Sequence, residues 1–239
     1  MGAGYSIQAR GNANAEVFIY EDVGAPFFGG VSAKDFAADL KGLGKVAAID
    51  VHINSNGGDV FDGLAIYRQL VEHEAKVTTH IDGVAASIAS VIAMAGDTIR
   101  IAESGFVMIH NATALGRGDA GKLRKTADLL DKVTETIADV YSERTGQDKQ
   151  SLLTMMTDET WMTGNEALEH GFADEVVVNL SMAARAIDPA MHQFRNVPEA
   201  LQTNLEAPKQ SHRPDFEAAN ARLQVMRGRV LANRIRTGT

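Results

Sequence analysis

Residues 46–96 read VAAIDVHINSNGGDVFDGLAIYRQLVEHEAKVTTHIDGVAASIASVIAMAG, two strand–turn–helix units in succession. Val46 to Asn54 forms the first strand, and the near-continuous apolar content of its first half suits a strand buried on both faces. It runs into the turn cluster Ser55-Asn-Gly-Gly-Asp59. A helix follows whose apolar stripe is Val60/Phe61, Leu64, Tyr67 and Leu70/Val71. Lys76 to Ile81 is the next strand. Beyond Gly83, the small apolar segment Val84 to Ala95, closed by Gly96, reads as a buried helix. Repetition of β–α–β units predicts an α/β fold with a mostly parallel sheet between helices.

The flanking chain extends the pattern. Glu16 to Tyr20 reads as a strand, and Ser32 precedes a helical spacing through Phe36, Leu40 and Leu43. Thr98 to Ala102 and Phe106 to His110 are short strands around a Glu-Ser-Gly turn. From Asp119 to Arg144 apolar residues recur at intervals of three and four, which predicts a helix of about 25 residues, long enough to project or to pack on a partner. A short helix at 148–156, another capped by Thr163 (164–170) and a strand at 175–178 complete this part. Residues 181–213 hold three of the five prolines and read as a linker. Phe216 to Arg236 then shows an arginine-studded helical stripe. Residues 1–180 carry 14 Lys+Arg against 26 Asp+Glu, a net of −12, whereas residues 181–239 carry 9 against 5, a net of +4. The chain therefore divides near Leu180 into a core, 1–180, and a basic helical extension, 181–239.

Composition excludes several chemistries. The 239 residues include no cysteine, which removes disulfides, Cys-based zinc sites, iron–sulfur clusters and a thiol nucleophile. A net charge of −8 argues against a nucleic-acid partner. With no 18-residue apolar run and no apolar signal region, the expectation is a cytoplasmic protein without a membrane partner. Met1-Gly2 with Ser6 fits a myristoylation pattern, but the acidic core offers no second membrane signal. The sequons at Asn111 and Asn179 have no use in that compartment. No HExxH or close His/carboxylate cluster surrounds His110, and neither metal nor cofactor is expected.

Catalysis must then rest on Ser, Thr, Lys or a carboxylate. Ser87, in Gly83-Val-Ala-Ala-Ser87-Ile-Ala, falls at a strand-to-helix junction, where unpaired N–H groups can stabilise an oxyanion. It could equally cap a buried helix. Gly57-Gly58 can turn an N–H outward close to a ligand, or can simply make the turn. Both would lie at the carboxyl ends of parallel strands, the edge where such folds bind ligands. His110 ends an apolar strand, as a base or as a hydrogen-bonded core residue.

Taken in order, Ile53-Asn-Ser-Asn-Gly-Gly58, Gly83-Val-Ala-Ala-Ser87, Met108-Ile-His110 and Trp161-Met-Thr-Gly-Asn-Glu-Ala-Leu-Glu-His-Gly171 resemble the ClpP family of proteolytic subunits, most closely its phage and prophage head-maturation branch. The likeness spans roughly residues 15 to 180. It implies the ClpP/crotonase α/β fold, a serine endopeptidase acting through an acyl-enzyme, and heptameric rings that stack face to face. Ser87 takes the nucleophile's position and His110 the base's, and the amides of Gly58 and Ile88 take the oxyanion hole's. Glu159 stands where the family usually has Asp, with Asp158 as the alternative, and Gly57 and Gly58 border the substrate. The 119–144 helix corresponds to the handle by which rings interdigitate. His110 is followed by Asn-Ala instead of the usual Gln-Pro, and the front of the chain lacks the axial-loop sequence, two departures that speak against docking to a Clp ATPase without deciding whether one is used. The basic extension fits processing of capsid or scaffold proteins inside a phage prohead.

Four other readings differ in what they need. An ATP-dependent Clp-type degradative peptidase subunit would keep the same site and take a Clp ATPase. A crotonase-type acyl-CoA hydratase or isomerase would use the same oxyanion amides without a Ser nucleophile. A catalytically weak capsid assembly component would keep the fold alone. A Ser-Lys signal-peptide peptidase would want a membrane anchor.

Overall fold

The computed structural model describes residues 5–10, 13–24, 30–178 and 194–202. Its strands are β1 (Tyr5–Arg10), β2 (Asn14–Ile19), β3 (Ala48–Ser55), β4 (Lys76–Ala86), β5 (Thr98–Ala102), β6 (Phe106–Ile109), β7 (Thr160–Thr163) and β8 (Glu175–Val177). The helices are α1 (Ala33–Gly42), α2 (Val60–Val71), α3 (Ile88–Ala93), α4 (Ala120–Thr145), α5 (Lys149–Thr157), α6 (Gly164–Glu169) and the single turn α7 (Glu199–Gln202). The strand order is β1-β2-β3-β4-β5-β8, parallel except for the β1/β2 pair. β6 pairs parallel with β4, and β7 pairs antiparallel with β6. The expected α/β class with a mostly parallel sheet is what forms.

β4 places the site. Its first half, Thr78 to Ile81, pairs with β5, and its second half, Val84 to Ala86, pairs with β6. The strand changes neighbours at Asp82-Gly83 and runs five residues beyond Ile81, through the small Val84-Ala-Ala stretch that reads as the start of a helix. That stretch is buried on both sides, so sheet pairing outweighs the helix preference of alanine. α3 consequently begins only at Ile88, and all six of its residues are buried.

β3 departs from the double burial expected of it: it alternates, with Ile49, Val51 and Ile53 in the core and Asp50, His52 and Asn54 half-buried. The core face packs with Phe36 and Leu40 of α1 and Ile66 and Leu70 of α2. Each such aliphatic side chain contributes about 1.5–3 kcal/mol on full burial. Across the opposite face the register aligns Phe18, His52 and His80. Their rings stack, Phe18 to His52 at 4.8 Å and His52 to His80 at 4.5 Å. Asp82 receives Tyr20 Oη at 2.6 Å and pairs with His52 Nδ1 at 2.8 Å, and Asp50 pairs with His80 Nε2 at 2.9 Å.

α4 starts on an Asp119 cap and ends at Gly146 in the left-handed region. Its second half is anchored by buried Val133, Ile137, Ala138 and Tyr141, while Leu123 and Leu129 in the first half are 44% and 50% exposed. The linker reading of 181–213 does not extend to residues 194–202, where Phe194, Val197 and Leu201 pack against Val84, Ala86 and Met108. The helical stripe at 216–236 lies outside the described residues. Among the described residues, no helix is long and apolar enough to cross a membrane, and no His/Cys/Asp/Glu group is arranged to hold a metal.

Candidate active site

Ser87 is the joint between β4 and α3. Its φ of 54° and ψ of −129° are a combination that L-residues adopt only when their surroundings force it. Here the Ser87 amide donates to Met108 O of β6 at 3.0 Å, while Ser90 donates to Ser87 O from its amide at 3.0 Å and from its hydroxyl at 2.6 Å. The same hydroxyl meets Tyr141 Oη of α4 at 2.8 Å, and burial pushes the Tyr141 phenol above its ordinary pKa. The elbow turns the Ser87 side chain toward the end of β6. Its Oγ lies 2.7 Å from His110 Nε2, a contact in which the hydroxyl donates when the neutral imidazole carries its hydrogen on Nδ1.

His110 follows directly from β6, and its base is firm. Asn111 N donates to Met156 O at 3.2 Å, Asn111 Nδ2 to Thr157 Oγ1 at 3.2 Å, and Ala112 N to Thr134 Oγ1 of α4 at 3.0 Å. Burial lowers the imidazole's pKa below its ordinary value and the Arg195 charge adds to this, while Glu159 opposes it.

Gly57 and Gly58 close the other side, with φ of 98° and 140°. A Cβ on Gly57 would come within 2.8 Å of Ser87 Cβ, so the turn lies directly against the elbow. Val23 holds it in place: its N–H donates to Gly57 O at 2.7 Å and its carbonyl accepts from Asp59 N at 2.8 Å. The amides of Gly58 and Ile88 have no hydrogen-bond partner among the described residues. A cavity of about 300 Å³ opens here, bordered by Gly58, Ser87 and His110 and lined on its apolar side by Val60, Ile88, Leu130, Val133 and Ile137.

The carboxylates separate sharply. Asp158 caps the end of α5 with its side chain exposed, whereas Glu159 is 3% exposed and, like Ser87, has positive φ, 53°. The β6/β7 register explains its position, because Ile109 pairs with Thr160 and the next step outward sets residues 110 and 159 opposite each other. Yet no Glu159 oxygen reaches the imidazole within hydrogen-bonding range. The carboxylate accepts instead from Arg195 N at 2.7 and 2.9 Å, Asn196 N at 2.6 Å and Trp161 Nε1 at 3.3 Å. The structure thus joins Ser87, His110, Gly57, Gly58 and Ile88, and sets Glu159 beside them in another bonding network. Ser90 and Tyr141, which brace the elbow, and Phe194 to Asn196 were not foreseen. Ser90 has the signal of a polar residue inside a wholly apolar helix.

A serine at a strained strand-to-helix elbow, bonded to an imidazole and sharing a cavity with two residues whose amides are unpaired among the described residues, is an arrangement suited to acyl transfer on an α/β fold. Residues 5–180 match the family model for Clp protease, so the chain belongs to the Clp protease family. It is 37% identical over 131 residues to the ATP-dependent Clp protease proteolytic subunit of Deinococcus radiodurans, covering 54% of this chain and 64% of that protein. The subunits of the same name from Chlorella vulgaris and Bacteroides fragilis are 33% and 32% identical over 131 and 132 residues, covering 54% of this chain and 65% and 64% of theirs. The chain spans slightly less than two thirds of the length of these curated relatives.

Proposed function

We propose that the protein is a serine endopeptidase whose nucleophile is Ser87 and whose base is His110. The 2.7 Å contact between Ser87 Oγ and His110 Nε2 at a strained elbow is the observation that carries this reading. His110 takes the hydroxyl proton as Oγ attacks a peptide carbonyl, and the oxyanion formed is received by the Gly58 and Ile88 amides. His110 then returns the proton to the leaving amine, and water releases the acyl group. Glu159, at the third position, supplies a fixed negative charge that favours the imidazolium, and exposed Asp158 is set aside. The apolar cavity beside Ser87 receives the side chain preceding the scissile bond, with Gly57 and Gly58 along the substrate backbone.

The relatives are named proteolytic subunits of ATP-dependent proteases, which favours a ring-forming subunit degrading protein substrates, heptameric and stacked through α4. Exposed Leu123 and Leu129 on the unanchored half of that helix support this assembly. The doubt about a Clp ATPase partner finds no support in these relatives. The narrower reading, capsid or scaffold processing in a phage head, rests on the motif resemblance and the basic extension. A crotonase-type acyl-CoA enzyme would have no use for the Ser87–His110 pair. Purified protein incubated with a fluorophosphonate should carry one adduct, on Ser87, and should hydrolyse unstructured peptides. Ser87→Ala should lose both while keeping its fold, and wild-type turnover in that variant would refute the mechanism.

A further inference from the structure

We propose that Phe194, Arg195 and Asn196 are positioning residues of this active site: their backbone holds the Glu159 charge in place, and the Phe194 ring orients His110. The inference rests on the reading of Ser87 and His110 as the reacting pair. It assigns to a segment beyond the family match, which ends at residue 180, a part in the chemistry.

The argument begins with Glu159. A carboxylate this deeply buried is tolerable as an anion only when donors replace the water it has lost. Three of the donor contacts come from two successive amides, those of Arg195 and Asn196, which converge on it as an anion-binding nest. Both side chains hook the same stretch to the backbone just ahead of Glu159: Arg195 Nη2 donates to Thr157 O at 2.8 Å and Asn196 Nδ2 to Asp158 O at 2.7 Å. Oε1 accepts from Arg195 N, Asn196 N and Trp161 Nε1 together, so the carboxylate cannot turn to the imidazole without breaking those bonds. Its charge stays beside His110 and its hydrogen bonds go elsewhere.

Orientation of the ring must therefore come from another contact, and Phe194 provides it. Its ring meets His110 edge to face, with centroids 5.5 Å apart and planes at 82°, and meets Trp161 of β7 in the same way at 5.7 Å and 77°. Val197 and Leu201 fasten the segment to Val84 and Ala86 of β4 and Met108 of β6, the strands that lead into Ser87 and His110. A segment fastened to both strands and touching the base fixes the imidazole relative to the hydroxyl. The division of labour is specific: charge from Glu159, orientation from Phe194, and a backbone nest that keeps the two together.

The test uses the full chain with Phe194→Leu, Phe194→Tyr and Asn196→Ala, and reads kcat and KM on a peptide, the rate of fluorophosphonate labelling at Ser87, and the His110 titration midpoint by NMR. Phe194→Leu should lower kcat and the labelling rate roughly tenfold with KM within about twofold, because misplacing a base affects the step and not the binding. Phe194→Tyr, which keeps the ring edge, should restore both to within about threefold of the original. Asn196→Ala, whose exposed side chain leaves folding undisturbed, should fall between them. Each of the two weaker variants should also displace the His110 midpoint. Unchanged labelling and an unchanged midpoint in Phe194→Leu and Asn196→Ala would overturn the inference, and faster labelling would overturn it by showing that the segment restrains the site. If the unaltered chain neither hydrolyses peptides nor labels at Ser87, the proposed function fails, while the midpoint still decides whether the segment positions His110.

Discussion

Replacing Gly57 with alanine tests whether the Gly-Gly turn must touch the nucleophile. Two penalties add. The backbone at φ 98° lies where a side chain is strained by about 1–3 kcal/mol. The new Cβ would stand 2.7 Å from Ala86 O, 2.8 Å from Ser87 Cβ and 3.2 Å from Ile88 N, atoms of a buried backbone and of the proposed nucleophile. Opening the nearest gap from 2.7 Å to an ordinary 3.4 Å moves the turn or the elbow by about 0.7 Å. Displacement of about 1 Å at reacting groups lowers rates roughly 100-fold, equivalent to about 2.7 kcal/mol of barrier. Gly57→Ala should therefore reduce kcat/KM by roughly 30- to 100-fold. Its melting temperature should fall by several degrees, at about 2–4 °C per kcal/mol for a chain of this size. Gly44→Ala is the control: its φ is 70° but nothing lies within 4 Å, so it should share the thermal loss and keep its activity. The assay is hydrolysis of a fluorogenic peptide alongside thermal melting by circular dichroism. Retention of kcat/KM within about threefold in Gly57→Ala would refute the claim that the turn and the elbow are held in contact.

Three further outcomes follow from the same geometry. Because Leu130 lines the cavity, Leu130→Trp should fill it and raise KM for peptides with a large apolar residue before the scissile bond, roughly tenfold, while small residues are cleaved as before; equal losses for both would detach the cavity from specificity. Burial, reinforced by Arg195, lowers the His110 pKa, so the acidic limb of kcat/KM should have its midpoint below the ordinary histidine value of about 6.5, and a limb above 7 would contradict the burial. His52 is raised, burial acting downward but outweighed by the hydrogen bond and charge of Asp82, with Glu16 and Asp50 adding to them. A raised folded-state pKa gives stability that is fully present below about 6.5 and is lost as pH rises through the folded value. The melting difference between the original chain and His52→Gln should thus be larger at pH 5.5 than at pH 8, and a difference that grows with pH would reverse the sign.

Much of this architecture is legible in the sequence because burial writes a periodic signal. The runs at 46–54 and 76–81 and the stripe of the 119–144 helix are apolar at the intervals that their elements demand. β1 and β7 escape notice for a physical reason. β1 is a short antiparallel edge strand of mixed polarity, and Thr160-Trp-Met-Thr163 gains its strand character only from pairing with β6. The site divides along the same line. Ser87 and the Gly-Gly turn sit at strand ends where local sequence dictates backbone geometry, so motif spacing points to them. The bonding of Glu159 depends on amides 36 and 37 positions away, and an amide leaves no mark in the identity of its residue. Phe194, Val197 and Leu201 fall at intervals of three and four, but Arg195, Asn196 and Pro198 interrupt them and only one helical turn forms, so their stretch reads as linker.

The docking of residues 194–202 also bears on when the protein becomes reactive. Synthesis delivers a chain from its N-terminus at about 5–20 residues per second. Ser87 and the Gly-Gly turn emerge early, and about 110 residues separate Ser87 from the Arg195-Asn196 nest. For roughly 5–20 s the nascent chain holds the proposed nucleophile with no nest for the Glu159 carboxylate and no ring against the His110 imidazole. On the function proposed, a nascent chain would cleave itself and its neighbours more slowly than the finished one, by about the tenfold expected when the Phe194 contact is lost. Full competence would then be timed by the distance along the sequence between first and last contributors.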